Sequence, residues 1–527
     1  MEIEFEPSFR LTIYSHFFKI SHIRPGMISP ILQFCSKNAQ MGFVKKKGFS
    51  KPSYQVIKVY AARVSDSSEF RFHIGQLADF QKHMSFKGTD DSLYQIRKMD
   101  VYPPKVINTP LKDGWTLYDY QEEAIDFILQ EDPSDNHSRL VALGTGLGKT
   151  VLSLAAISRL KQRCLIYVLS TYIDKWAKDI VNTLKIKPSD IMIVRGTPAF
   201  QGLIDLANRD KLESKFILIS IETNAVFYKT YELDPQSQDT KAYGCHPENV
   251  CKLLKVGTVL IDETHQHFHR IFKILLYTHV PKVIALSATL ISDDPFISKM
   301  QQLVFPKDIR FLNVQLRKYI KAYAMAYVFD DFQHANIRTT EYGTNLYSHI
   351  AFEKSIARNP IALSGYLSLI DDMLQLAYFD EYIDGDKAAI YCSSVAMSNH
   401  IVQYLKQRYR DYDVRRYCEG DPYENIIEPD IRVTTIISGG TAIDIPDLRA
   451  LILTINLKSP ASNLQTMGRL RDLKTRDVKF YWMYCEQILK HREYHQLKKE
   501  LIQDRVLSLK EYRISKPVAT KKVKHYH

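Results

Sequence analysis

The sequence predicts an α/β protein: two parallel-sheet domains in tandem, preceded by a small α+β unit. Three observations predict this. The chain has 527 residues, too many for a single core. From residue 115, apolar β-rich runs recur at 138–143, 164–169, 216–221, 257–261 and 282–286, with helical segments between them, which is the alternation of parallel α/β units. After a less regular stretch at about 291–345, a second set begins at 387–392 and continues at 432–437, 450–455 and 478–484.

Within residues 1–110, Phe9–Tyr14, Tyr54–Val64 and Glu69–Ile74 alternate as strands, and Ile28–Ser36 and Gly75–Met84 read as helices. The Pro-rich segment 101–114 reads as a linker and puts a boundary near 110. The expected organisation is 1–110 as an accessory α+β domain, 111–300 and 346–497 as the two α/β domains, 301–345 as a connector and 498–527 as a basic tail whose last stretch is mobile.

Apolar residues are 45% and charged residues 25%, ordinary globular values that exclude wholesale disorder. No run of 18 apolar residues occurs, so no membrane span is expected. The first residues carry acids where a secretory signal carries lysines, which predicts a cytoplasmic protein. Seven scattered cysteines suggest reduced thiols. Net charge is +12. Residues 1–110 hold 16 Lys/Arg against 9 Asp/Glu and residues 498–527 hold 9 against 3, which leaves 111–497 at −1. Basic ends on a neutral middle suit a polyanionic partner; a lysine-rich solvated surface explains the charge equally well. In residues 43–60, Lys45, Lys46, Lys47, Lys51 and Lys58 interleave with Phe43, Phe49, Tyr54 and Tyr60, which suits phosphate contact and base stacking.

Residues 138–150 read SRLVALGTGLGKT. A strand leads into Gly144, Thr145, Gly146, Leu147, Gly148, Lys149 and Thr150, and a helix follows. Glycines let the backbone aim its N–H groups at phosphate oxygens, and the helix N-terminus adds its dipole. Lys149 suits the β and γ phosphates of ATP, and the Thr150 hydroxyl suits Mg²⁺. The strict phosphate-loop pattern has Gly at 143, where this chain has Leu143. In GTVLIDETH, 257–265, an apolar strand delivers Asp262 and Glu263 to its carboxyl end, where open α/β sheets bind ligands. Asp262 suits Mg²⁺ and Glu263 suits the base that activates water. The cluster CHPENVC (Cys245, His246, Cys251) fits no common zinc spacing.

Asp262-Glu263-Thr264-His265 resembles the DEx[HD] box of superfamily 2 helicases. Ser287-Ala288-Thr289 resembles that superfamily's Ser-Ala-Thr motif, and LYDYQEEAI its adenine-side motif, which puts Gln121 near the base. Segments 164–180 and 217–225 resemble its strand-contact motifs, and 387–394 the strand that opens its second domain. TTIISGGTAIDIPDL, 434–448, resembles the motif Gly-Thr-Gly-Ile-Asp-Ile-Pro, with Ala442 for one Gly. QTMGRLRDL, 465–473, resembles QxxGRxxR; Gln465, Gly468 and Arg469 are in place, but Asp472 stands where the second arginine belongs and Arg471 comes one position early. Within the superfamily the likeness runs toward UvsW recombination helicases of T-even phages and poxvirus transcript-release helicases, and so toward a phage or viral source.

The resemblance implies two RecA-like domains and an ATP- and Mg²⁺-dependent motor that grips the nucleic-acid backbone. It implies ATP contacts at Asp444 and Gln465, an arginine finger at Arg469 or Arg471, coupling through His265, Ser287 and Thr289, and nucleic-acid contacts at Thr171, Thr223, Ser393 and Thr441. The expected substrate is DNA in preference to RNA, unwound or remodelled at branches. The alternatives are an ATPase that displaces transcripts or bound proteins, and an RNA helicase. The motor part of a restriction enzyme ranks below these, because residues 1–110 show no Pro-Asp followed by Glu-x-Lys.

Overall fold

The structure is a computed structural model and describes residues 7–44, 53–62, 68–89, 93–131, 137–144, 147–264, 268–287, 295–312, 318–343, 346–436, 438, 445–473 and 476–521. The chain divides into two compact units, Met1–Val314 and Gln315–His527.

The first unit opens with β1 (Arg10–Ile13), β2 (Phe17–Ser21), β3 (Ala39–Val44), β4 (Ser53–Lys58), β5 (Ala61–Ala62), β6 (Phe70–His73) and β7 (Gln95–Lys98). Five of these form a mixed sheet in the order β5-β6-β2-β1-β7, and β3 and β4 pair as a separate hairpin. The helices Pro25–Lys37 and Leu77–Phe86 close the core by packing Phe34 and Phe80 against Phe9, Phe18 and Phe72. Such aromatic packing lets a short sheet bury a large apolar area. The lysines 45–47, and Lys51, lie outside the described residues.

Residues 1–110 share the compact unit of the first α/β domain and are not a free appendage. Arg71, fully buried, donates to Glu248 at 2.5 Å and stacks 4.5 Å from the centroid of the Tyr277 ring, and Lys19 meets Glu248 at 3.0 Å. Burial would raise the Glu248 carboxyl, yet Arg71 and Lys19 hold it down to about 2. Removing one partner of such a buried pair costs about 3–5 kcal/mol. The expected linker is likewise bound: Val106 bridges Gln162, Leu111 bridges Leu184, and the Tyr102 hydroxyl donates to the Val256 carbonyl at 2.7 Å. Prolines keep this strap from forming a regular strand, so its composition imitates a linker.

The α/β part contains β8 (Ser138–Ala142), β9 (Cys164–Val168), β10 (Ile191–Val194), β11 (Phe216–Ser220), β12 (Thr258–Ile261), β13 (Lys282–Ser287) and β14 (Arg310–Phe311). They form a parallel sheet in the order β10-β11-β9-β12-β13-β8-β14. Both faces are covered by helices, so β9, β11 and β12 are buried throughout and read as unbroken apolar runs.

The second unit contains β15 (Ile320–Tyr327), β16 (Lys387–Cys392), β17 (Val414–Tyr417), β18 (Ile431–Thr435), β19 (Leu448–Leu453), β20 (Val478–Cys485) and β21 (Ser508–Arg513), a second parallel sheet in the order β17-β18-β16-β19-β20-β15-β21. The fold is thus two tandem RecA-like α/β domains with a small N-terminal mixed sheet.

Two expected stretches have a different place. The connector 301–345 is divided: β14 closes the first sheet and β15 is an inner strand of the second. Ala322, Ala324 and Ala326 give β15 low intrinsic strand preference, and the large side chains of the neighbouring β20 supply the packing. The expected basic tail supplies β21, paired with β15, and beyond it the Thr520 N–H donates to Asp330 at 2.9 Å. All seven cysteines are free. No helix among the described residues is long and apolar enough to cross a membrane.

Candidate active site

The site is built at the carboxyl ends of β8, β13 and β12, neighbours in the first sheet. β8 ends at Ala142, and the Leu143 N–H donates to the Ser287 carbonyl at 3.1 Å. The start of the phosphate loop is thereby fastened to the end of β13. Thr145 and Gly146 lie outside the described residues. The loop ends at Gly148, whose φ is +68°, and the helix Lys149–Leu160 begins at once with Lys149 and Thr150.

A Cβ at position 148 would stand 2.4 Å from Nε2 of Gln121. A side chain here would be strained by the left-handed backbone and would have to displace the Gln121 amide. Gln121 is buried and braces the loop: its Nε2 donates to the Leu147 carbonyl at 3.2 Å and its Oε1 accepts from the Tyr118 N–H at 3.0 Å. The Tyr120 hydroxyl donates to the same Leu147 carbonyl at 3.1 Å. Lys149 Nζ donates to the carbonyls of Leu143 at 3.0 Å and Gly144 at 3.3 Å.

Asp262 follows β12 directly. Its Oδ1 accepts from the Glu263 N–H at 2.8 Å and its Oδ2 from the Trp176 indole N–H at 2.8 Å. Burial, and next the Glu263 carboxylate, push the Asp262 carboxyl up to about 6, while Trp176 and Lys149 pull the other way. Glu263 has φ +49°, a strained value for a side chain of this size and the kind of strain that collects at reactive sites. Thr264 pins the turn, its N–H and hydroxyl both donating to the Leu286 carbonyl, at 2.9 and 3.0 Å.

The residues fit a nucleoside triphosphate with Mg²⁺. The loop narrows at Gly148, where a side chain would push into Gln121, the helix N-terminus and Lys149 are positive, and Asp262 brings a carboxylate to the same end of the sheet. When bound, Mg²⁺ would be held by Thr150 and Asp262 and would neutralise phosphate charge.

Sequence reasoning named the loop and the acids but missed Trp176 and Tyr120. Both lie in segments already singled out, yet their contacts cross 86 and 27 residues of chain and leave no local pattern. Ser287 is buried at the end of β13. His265 and Thr289 lie outside the described residues.

The expected nucleic-acid contacts divide. Thr171 is exposed in a turn at the end of β9. Thr223 is not available: it is buried, its Oγ1 accepts from the Gly196 N–H at 3.0 Å, and it pairs with the Ser220 hydroxyl at 2.8 Å. The side chain holds a helix start, a local role that a motif match cannot tell from a ligand contact. In the second unit, the Ser393 N–H and the Ser394 hydroxyl donate to the buried Glu353 at 2.8 and 2.7 Å. Burial raises the Glu353 carboxyl. Gln465 is half-buried on the helix Pro460–Met467, Arg469 is buried near Tyr391, and the Arg471 guanidinium donates to the Gly468 carbonyl. Thr441 and Asp444 lie outside the described residues.

Residues 115–292 match the type III restriction enzyme res subunit. The DNA 3'-5' helicase XPB of Kineococcus radiotolerans is 24% identical over 213 residues, which are 40% of this chain and 33% of that protein. The matched region therefore spans about a third of the relative's length. The structure of S. cerevisiae Dbp5 bound to RNA and ADP BeF3 aligns over 77% of this chain and 90% of its own, at 12% identity and a TM-score of 0.48. The res-subunit and XPB matches support a superfamily 2 helicase.

Proposed function

We propose that this protein is an ATP-dependent nucleic-acid helicase or translocase acting on DNA, by unwinding or by remodelling branched intermediates in recombination, repair or replication. The observation that carries the reading is one sheet edge holding the Gly148–Lys149 loop, Ser287, and Asp262–Glu263 braced by Trp176. In this reading the loop N–H groups and Lys149 bind the β and γ phosphates. Glu263 takes the proton of the attacking water, while Trp176 fixes the Asp262 carboxylate that would hold Mg²⁺. Arg469 or Arg471 serves in this reading as the arginine finger, the cation that stabilises charge developing on the γ-phosphate. Thr171 contacts the nucleic-acid backbone, which carries no sequence information and gives a motor without sequence preference.

The net charge of +12 suits a polyanionic partner, and the matched XPB, a DNA helicase by its name, favours DNA. The test is the ATPase rate without nucleic acid and then with single-stranded DNA, duplex DNA, a four-way junction and RNA, at fixed low salt. Strongest stimulation by the junction is expected. Strongest stimulation by RNA would turn the reading to an RNA helicase. Stimulation without strand separation would turn it to an ATPase that displaces transcripts or bound proteins. Full hydrolysis in both Arg469→Ala and Arg471→Ala would end the arginine-finger role.

A further inference from the structure

The helix Leu77–Phe86 sets Asp79, Lys82, His83 and Phe86 on one face, at the i, i+3, i+4, i+7 spacing. Together with the helices Pro25–Lys37 and Pro295–Val304 it lines a groove of about 620 Å³, within the size range of ligand sites. The walls are fixed. Gly75 approaches the third helix so closely that a Cβ would lie 2.7 Å from the Leu303 carbonyl oxygen, and Gln76 Nε2 donates to Asn38 Oδ1 at 3.1 Å.

Each helix contributes one lysine to the groove: Lys37, Lys82 and Lys299. Lys37 is held in place, with Nζ donating to His83 Nδ1 at 3.3 Å while His83 Nε2 donates to the Pro30 carbonyl at 3.0 Å. None of the three lysines forms an ion pair among the described residues, although Asp79 stands on the same wall. At the end of the groove Phe86 is 83% exposed, with Lys87 Nζ 5.9 Å from its ring centroid. Three lysines from separate elements line one groove without an acidic partner in contact among the described residues, and an exposed phenyl ring keeps apolar surface in water. A ligand with spaced phosphates and a flat apolar face answers both.

We infer that this groove binds a single-stranded stretch of nucleic acid, its phosphates on Lys37, Lys82 and Lys299 and one base stacked on Phe86. The inference rests on the motor reading above, since the occupant is the strand the motor works on. It also gives the N-terminal sheet a role in the motor, because the groove exists only where its two helices meet the helix that follows Ser287 in the chain. Stacking accepts any base, in keeping with a motor that lacks sequence preference.

The experiment is fluorescence anisotropy of a labelled single-stranded oligonucleotide, and of its duplex, across a salt series. The proteins are the wild-type 527-residue chain, the triple variant Lys37→Glu/Lys82→Glu/Lys299→Glu, and Phe86→Ala. The triple variant is expected to bind the single strand at least ~10-fold more weakly and to lose about 2 from the slope of log K against log salt, because each phosphate contact on a single strand carries about 0.7. Phe86→Ala is expected to weaken binding about 5- to 100-fold with the slope unchanged, the mark of stacking and not of charge. ATPase without nucleic acid should stay at the wild-type rate in both, which also shows that they fold. Unchanged affinity and slope in the variants overturn the groove alone. A duplex bound as tightly through the same residues overturns the single-strand assignment. A wild type that binds no nucleic acid overturns the groove and the motor reading together.

Discussion

In the first α/β domain the strands run β10-β11-β9-β12-β13-β8-β14, and in the second β17-β18-β16-β19-β20-β15-β21. Numbered within each domain, both orders are 3-4-2-5-6-1-7. The difference is at the strand ends. Where the first domain follows its first strand with Gly148 and Lys149, the second follows β15 with Asp330, which accepts from the Thr520 N–H. Where the first domain ends its fifth strand in Asp262 and Glu263, the second ends β19 in Thr454 and Asn456, whose side chains donate to the carbonyls of Tyr391 and Met483. The first domain gathers a lysine and two carboxylates at its strand ends, while the second ties Asp330, Thr454 and Asn456 to its own backbone. Identical scaffolds thus carry different chemistry, because a few side chains, and not the topology, make a site.

The contrast breaks most sharply at the first strand. Lys149→Ala should cut ATP hydrolysis by at least ~100-fold, the scale of losing one cationic or hydrogen-bond donor to a developing charge. Asp330→Ala, at the matching place in the second domain, should leave the rate per folded molecule unchanged and cost about 1 kcal/mol of stability. Equal effects on hydrolysis would mean that the two domains are not divided in this way; steady-state rates and denaturant unfolding decide.

A smaller effect is expected from Trp176→Phe, which keeps the packing and removes the N–H on Asp262. A hydrogen bond to a charged group is worth about 1.5–3 kcal/mol, so turnover should fall about 10- to 100-fold and the Mg²⁺ requirement should rise, with little change in nucleotide affinity. An unchanged Mg²⁺ titration would reduce Trp176 to a packing residue.

The Asp262 carboxyl, raised to about 6, sharpens the comparison through pH. At limiting Mg²⁺, protons compete for Asp262, so activity should climb as pH rises through about 6, and saturating Mg²⁺ should move that limb to lower pH. The stability sign is opposite. The fold keeps a proton that the unfolded chain releases near 3.8, so this group's contribution is full below that value and is lost as pH rises through about 6. A limb that ignores Mg²⁺ would assign it to another group.

The mildest test lies in the second domain. Lys498 is fully buried, its ammonium 5.5 Å from the Trp482 ring centroid, and burial pushes it down to about 7. Unfolding lets it take up a proton between about 7 and its ordinary value, so the penalty is full below about 7 and fades as pH rises above it. Lys498→Met should therefore raise the unfolding midpoint by a few degrees, most at or below pH 7, with hydrolysis unchanged. Lost hydrolysis would give this lysine a place in the motor.

By itself the sequence determined the α/β class, five strands of the first sheet and four of the second, and the place of the glycine-rich loop and the acidic pair at strand ends. Those signals are local: buried parallel strands read as apolar runs, and a glycine loop before a helix has a fixed spacing. It misjudged β15, whose alanines form a strand only beside the large residues of β20, and β21, which reads as a basic tail until β15 pairs with it. It took the strap 101–114 for a linker because prolines look alike in both roles. It also offered Thr223 as a ligand contact when the hydroxyl serves Gly196. Only the tertiary structure put Trp176 on Asp262, Gln121 under Gly148, Arg71 on Glu248, and one lysine from each of three helices around one groove. Each of these joins residues far apart in the chain, and no local periodicity or spacing encodes where the fold will bring them together.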